Sequence, residues 1–192
     1  TRREAESQSV IHNNQIIKSK IILDNSKFRK LVQKNLKNNL KRNVILSKEF
    51  LFGNYELNKK KIISKVKSIK KKEFFLVFGL QVEIDLKKKI KNIKGGRIQH
   101  LCLDLALHFK NKNFADFLIS GFATDGDDFL KKIGGVMISK KIINKFPEKK
   151  IYKYLETNRS YKFHDQAETI IKLKKPTECN VMDILVLFIR KN

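Results

Sequence analysis

The chain has 192 residues, with 43 Lys and Arg against 19 Asp and Glu, a formal charge of +24. Its 41% hydrophobic content, 8 Gly and 2 Pro suit a folded domain of ordinary size and exclude disorder over the whole length. Two cysteines, Cys102 and Cys179, exclude a disulfide framework, and no Cys or His cluster has zinc spacing.

In chain order, Thr1–Gln8 is polar and charged. It has no signal-peptide pattern, and the opening Thr1 fits a start inside a longer protein. Gln15–Lys18 predicts a short strand. Asn25 or Ser26 is expected to cap a helix with Phe28, Leu31, Val32 and Leu36 at helical spacing. A second short strand is expected at Val44–Leu46, then a helix over Asn58–Ile69 with Ile62, Ile63, Val66 and Ile69 on one face. Phe74–Phe78 is a continuous apolar run, expected for a strand covered on both sides. Val82, Ile84 and Leu86 alternate with polar residues, which predicts a second strand paired with it in a hairpin. Arg97–Phe109 has the register of a helix packed on a sheet, and Phe114–Ser120 reads as a buried strand. Gly121–Gly135, with three Asp, reads as a loop. Short helices are expected at Ile142–Phe146, Lys149–Thr157 and Tyr161–Ala167, and closing strands at Glu168–Lys172 and Val181–Ile189. The fold class is therefore α/β, with a mixed β-sheet flanked by helices.

The longest apolar runs, Phe74–Leu80 and Ile184–Ile189, fall far short of the roughly 20 residues of a transmembrane helix. A cytoplasmic protein without a membrane partner is the expectation. The positive charge is mostly Lys, 36 against 7 Arg, and it accompanies 23 Ile and 16 Asn. Lys, Ile and Asn all have A/T-rich codons, and the Lys are scattered along the chain. Solvated faces are therefore expected, with weak, salt-sensitive adhesion to nucleic acid and no specific nucleic-acid partner.

The loops carry the chemistry. Gly95 and Gly96 before Arg97 let the backbone approach a ligand, and a helix start there offers free N–H groups to an anion. Arg97 adds a planar cation suited to a carboxylate or phosphate; otherwise it is a surface arginine in an ion pair. Thr124, Asp125, Gly126 and Asp128 stand just past a buried strand, where open α/β sheets bind ligands. Asp125 and Asp128 are candidate Mg²⁺ ligands, or else parts of an Asp-Gly turn. Asn180 and Asp183 are candidates for touching a ligand or orienting a loop. His100, His108 and His164 share no spacing with another ligand and are expected to be structural, and Cys102 reads as a core residue.

Gly95-Gly96-Arg97-Ile98-Gln99 resembles the GGRNQ motif that opens the C-terminal MOFRL domain of class II glycerate kinases. Thr124-Asp125-Gly126-Asp127-Asp128 resembles that domain's GTDGxDG loop. Asn158-Arg159-Ser160-Tyr161 resembles its NDSY segment, and Pro176–Asp183 its PTGTNVND segment. The four occur in the family's order over Phe74–Asn192. The resemblance implies a MOFRL-like domain over residues 71–192, with residues 1–70 as the end of the family's N-terminal α/β domain. It also implies ATP-dependent phosphorylation of D-glycerate with Mg²⁺, in a cleft completed by an N-terminal kinase domain in cis or in trans. Arg97 would be catalytic. Gly95, Gly96, Gln99, Thr124, Asp125, Gly126, Asn180 and Asp183 would bind substrate or nucleotide, and Asp125 and Asp128 the metal. Some relatives bear the label hydroxypyruvate reductase, but no dinucleotide fingerprint occurs here. The sequence departs from the motifs at Phe78–Val82 (family SGGET), Ile98, His100, Ala123, Phe129, Glu178 and Cys179. Two further readings therefore stand beside the kinase: an inactive MOFRL-fold relative acting as a binding or partner subunit, and a basic nucleic-acid-associated protein.

Overall fold

The computed structural model describes residues 23–84, 95–112, 114–175, 177 and 179–192, and the backbone of 9–12 and 15–18. Leu86, Pro176 and Glu178 lie outside the described residues. Ser9–His12 (β1) and Gln15–Lys18 (β2) form an antiparallel pair. The elements that follow are Asn25–Leu40 (α1), Val44–Asn54 (β3), Tyr55–Ser68 (α2), Glu73–Glu83 (β4) and Arg97–Lys110 (α3). Next come Phe114–Phe122 (β5), Ile133–Ser139 (β6), Lys140–Ile143 (α4) and Glu148–Glu156 (α5). The chain then forms Ser160–Gln166 (α6), Ile170–Lys172 (β7) and Asp183–Lys191 (β8).

Six strands make one sheet in the order β3-β4-β8-β5-β6-β7. The β3–β4 pairing is parallel and the others are antiparallel, so the expected mixed α/β sheet is present. Residues 44–54 continue the sheet of residues 73–191, and Leu51, Tyr55, Ile62 and Val66 join the same core as α3.

The pleat of β4 explains the layering. Phe74, Leu76, Phe78, Leu80 and Val82 are buried in the large core beneath α2, α3, α5 and α6. Val77, with Phe75 beside it, meets Phe28, Val32 and Leu36 of α1 on the opposite face. Two covered faces require an apolar run, which is what β4 has. Leu31 of α1, expected in the buried stripe, is 49% exposed. Helix α3 is buried nearly all round, with nine residues from Ile98 to Phe109 packed inside.

Three local expectations are corrected. The hairpin does not form: β4 runs unbroken through Gly79 to Glu83, because β3 and β8 occupy its two edges. The expected loop Gly121–Gly135 contains the ends of two strands, β5 to Phe122 and β6 from Ile133. The cap of α1 is Asp24, whose side chain accepts from Lys27 N at 2.7 Å; Asn25 is the first helical residue.

Gly135 shows why the β5–β6 crossing needs glycine. Its φ is +154°, and a Cβ there would lie 2.0 Å from the Gly121 carbonyl oxygen. Gly135→Ala should lower stability by about 3 kcal/mol or more, roughly 6–12 °C in Tm. Gly53, at φ +75° with nothing within 4 Å of an added Cβ, provides the comparison. Gly53→Ala should cost only about 1 kcal/mol. Thermal melts of both variants distinguish packing from backbone conformation alone.

Candidate functional site

Strands β3, β4 and β5 run in one direction and β8 against them. The carboxyl ends of β4 and β5, the amino end of β8 and the amino end of α3 therefore meet at one pole of the sheet. A cavity of about 420 Å³ opens there, lined among others by Glu83, Gly96, Arg97, His100, Asp128 and Asn158.

The first turn of α3 is held by a carboxylate from another loop. Gly96 is the N-cap residue and supplies no side chain. Asp128 fills the vacant place: its Oδ2 accepts from Gln99 N at 2.9 Å and its Oδ1 from Ile98 N at 3.3 Å. Gln99 Nε2 returns a bond to the Asp128 carbonyl at 2.9 Å. A Cβ at residue 96 would lie 1.9 Å from Asp128 Oδ1, so glycine is required for this approach. Gly95 packs equally closely on Ser160, whose Oγ would lie 2.1 Å from an added Cβ. Burial raises the Asp128 carboxyl to about 6, against the lowering effect of the amide bonds it accepts.

Two expectations change here. The free N–H groups foreseen for an anion at the start of α3 include those of Ile98 and Gln99, which Asp128 already engages. The same engagement removes Asp128 from a metal's reach: both of its oxygens face amides, and the residue is 4% exposed. Among the described residues, no group of three or more His, Cys, Asp or Glu is placed to hold a metal.

Arg97 projects from the same turn. Its Nε donates to Asp183 Oδ2 at 2.7 Å, and its side chain is 42% exposed while that of Asp183 is 3% exposed. Arg97 thus has a buried partner, and the bond runs through Nε alone. Burial pushes the Asp183 carboxyl up, and the Arg97 bond counteracts that effect. Arg97 itself is raised: burial acts to lower it, but the bond and charge of Asp183, with the charges of Asp128 and Asp125, outweigh that.

The remaining expected residues tie two loops together. Thr124 Oγ1 donates to Met182 O at 2.8 Å and accepts from Val181 N at 2.9 Å. Thr177 Oγ1 donates to Thr124 O, and Thr177 N donates to Asp125 O at 3.1 Å. Asp125 Oδ1 receives Asp127 N at 3.1 Å, and Asn180 Nδ2 lies 3.5 Å from its Oδ2. Gly126 N closes the turn on Ala123 O at 3.0 Å. Asn180 Oδ1 receives Met182 N at 2.9 Å. The motif residues converge as expected, although Thr124, Asp125 and Asn180 mainly stitch loop to loop.

Four residues that sequence reasoning did not place in the site belong to its frame. Asn25 Nδ2 donates to Val181 O at 2.7 Å, so α1 supports the segment leading into Asp183. Asn158, at φ +48°, follows the end of α5 and lines the cavity. Ser160 is 1% exposed. His164, expected to be structural, is fully buried, with Nε2 2.8 Å from Gln99 O and Nδ1 2.7 Å from Thr169 Oγ1. A carbonyl only accepts, so Nε2 carries the proton and Nδ1 accepts from the Thr169 hydroxyl. The NDSY-like segment was a signal for Asn158 and Ser160; no local pattern signals Asn25 or His164.

The site is thus one guanidinium anchored on a buried carboxylate at the carboxyl ends of parallel-running strands, beside a helix start. Open α/β sheets bind their ligands at this end of the strands. The MOFRL family matches residues 74–183, more than half of the chain, and the chain belongs to that family. Two solved structures are similar to it. The PH0495 protein from Pyrococcus horikoshii OT3 has 22% identity and a TM-score of 0.74, covering 89% of this chain and 39% of that one. A glycerate kinase from Thermotoga maritima has 22% identity and a TM-score of 0.71, covering 86% of this chain and 40% of its own. The chain therefore spans about two fifths of the length of these two proteins. No curated protein sequence matches it. Among the described residues, no helix is long and apolar enough to cross a membrane.

His164 and Asp128 predict opposite pH dependences. Burial lowers His164 from 6.5 to about 4, so on acidification the unfolded chain takes up that proton first and stability falls across this window. Asp128 is raised from 3.8 to about 6, so the folded state takes up its proton first and stability rises as pH falls through 6. Between about pH 7 and pH 5, His164→Gln should improve the change in unfolding free energy by about 2 kcal/mol relative to wild type. Asp128→Asn should worsen it by about 1 kcal/mol over the same interval. Urea titrations at the two pH values measure both; shifts of the same sign would overturn the assignment.

Proposed function

We propose that this chain supplies the C-terminal wall of a glycerate-kinase-type site, in which Arg97 receives the negative charge of the substrate. The observation that carries the reading is the Arg97–Asp183 pair at the rim of the cavity, 2.7 Å long and made through Nε. Asp183 fixes the plane of the guanidinium from the buried side. The two terminal amino groups are then available as a fork for a carboxylate or phosphate. Glycerate offers the first and a transferable phosphoryl group the second. Family membership and the fold shared with the Thermotoga maritima glycerate kinase support this class of substrate.

In such a reaction the protein positions the reactants and balances phosphate charge. Arg97 would bind and orient the anion. The Thr124–Asp128 loop, tied to residues 177–183, would hold the wall rigid. ATP belongs to the proposal as phosphoryl donor. The residues do not fit a resident metal centre, because Asp128 caps α3. Mg²⁺ arriving with ATP would be carried chiefly by the nucleotide's own oxygens. An N-terminal kinase domain, in cis or in trans, would form the opposite wall. The second reading, a partner subunit without turnover, is favoured by one observation: the α3 amides at Ile98 and Gln99 are occupied, leaving Arg97 to meet the anion.

Calorimetric titration of the chain with D-glycerate and with ATP tests the proposal. Arg97→Ala should weaken anion binding by about tenfold or more, and Arg97→Lys should restore little, since an ammonium lacks the fork. Arg97→Ala strands the Asp183 carboxylate and should also lower stability by about 2 kcal/mol, less than for a fully buried pair. The double variant Arg97→Ala/Asp183→Asn should recover much of that stability without recovering binding. In a coupled ADP-release assay the chain alone should show no glycerate-dependent turnover. Binding that is unchanged in Arg97→Ala would remove this residue from the site.

A further inference from the structure

Four of the lysines scattered along the sequence, Lys41 and Lys70 to Lys72, come together at the end of the sheet opposite the cavity. The parallel strands β3 and β4 begin there and β8 ends there, as their pairing shows. Phe75 N donates to Asn43 O at 2.7 Å, Lys191 N donates to Lys72 O at 2.8 Å, and Glu73 pairs in register with Arg190. The loops before β3 and β4 therefore lie side by side. They bring Lys41, Arg42, Lys70, Lys71 and Lys72 onto one surface, next to Arg190 at the end of β8. Between the loops is a hollow of about 460 Å³, lined by Lys41, Arg42, Asn43, Lys71, Lys72 and Glu73.

Two carboxylates balance part of this charge. Arg42 Nη1 lies 2.5 Å from Glu73 Oε1, and Arg190 Nη2 lies 3.5 Å from Asp116 Oδ2. Lys41, Lys70, Lys71 and Lys72 meet no carboxylate among the described residues; Lys71 Nζ instead donates to Asn43 Oδ1 at 2.8 Å. A cluster of cations that repel one another is stabilised by an anion placed among them.

We infer that this basic end is a docking surface for the phosphate backbone of double-stranded nucleic acid, bound without regard to sequence. The chemistry selects that partner over others. Both arginines, the side chains best suited to reading base edges, are already in ion pairs. The exposed aromatics Phe52, Phe129 and Tyr152 lie near the end of β3, in the β5–β6 connection and on α5. No stacking platform for unpaired bases therefore stands beside the hollow among the described residues. Leu40 is the one large apolar side chain exposed next to it among the described residues, too little to enter a bilayer. What remains is ammonium groups around a concavity, which suits phosphates. The surface is remote from Arg97, so this inference and the kinase-type reading stand or fall separately.

Fluorescence anisotropy of a labelled random-sequence DNA duplex against the full 192-residue chain tests it. Lys70→Glu/Lys71→Glu/Lys72→Glu should weaken binding at least about tenfold at low salt and flatten the slope of log K against log salt by about three. Lys131→Glu/Lys174→Glu/Lys175→Glu makes the same change of charge away from the hollow, and should weaken binding by less than about threefold. A milder pair, Lys71→Gln/Lys72→Gln, should flatten the slope by about two, which keeps the test decisive if the triple variant folds poorly. Equal weakening by the two triples would show diffuse charge and overturn the inference. So would a marked preference for one duplex sequence, or tighter binding to phosphatidylserine vesicles than to the duplex at the same salt.

Discussion

The site depends on one carboxylate placed over one helix. Asp128 comes from a loop well downstream of α3, yet it supplies the cap that Gly96 cannot. An N-terminal carboxylate satisfies orphan amides and meets the positive end of the helix dipole. Here it also fixes distance: with Gly96 bare, the β5–β6 loop closes directly on α3. Arg97, at the first position of that helix, then has a fixed origin from which to reach Asp183. The order of causes runs from a missing Cβ to a buried cap, and from the cap to the aim of a guanidinium.

Charge in this site is held by mutual constraint. Asp128, Asp183 and Asp125 surround a single arginine, and burial raises the first two carboxyls while Arg97 acts against that rise at Asp183. Such an arrangement makes the arginine rigid but shares its charge. The guanidinium is held on one side by Asp183, and its charge is partly compensated there.

The sequence made some of this readable and hid the rest for physical reasons. Helix α3 was legible because Leu101, Leu105 and Phe109 keep helical spacing over a long stretch and two glycines mark its start. The convergence of the motif loops was legible as well, through their order along the chain. The course of β4 was not: the alternation at its end resembles a half-exposed strand, and only the neighbours on its edges show that the chain continues straight through Gly79. Strand β6 was masked by Gly134 and Gly135, which look like turn residues but are there because Leu173 and the β5 backbone approach closely. Asp128 could be recognised as a site residue, but which atoms it faces is decided by tertiary packing, and so its role as a cap was out of reach. His164 illustrates the same limit: its partner Gln99 is sixty-five residues away.

The place of β8 has a consequence for how the molecule is made. Strand β8, Asp183–Lys191, follows the other described strands in sequence yet lies in the middle of the sheet, between β4 and β5. Until it is synthesised, β4 and β5 each present an unpaired inner edge, and Asp183 is not there to receive Arg97. Everything upstream waits as two half-sheets with exposed hydrogen-bonding groups, the state in which nascent chains most readily associate wrongly.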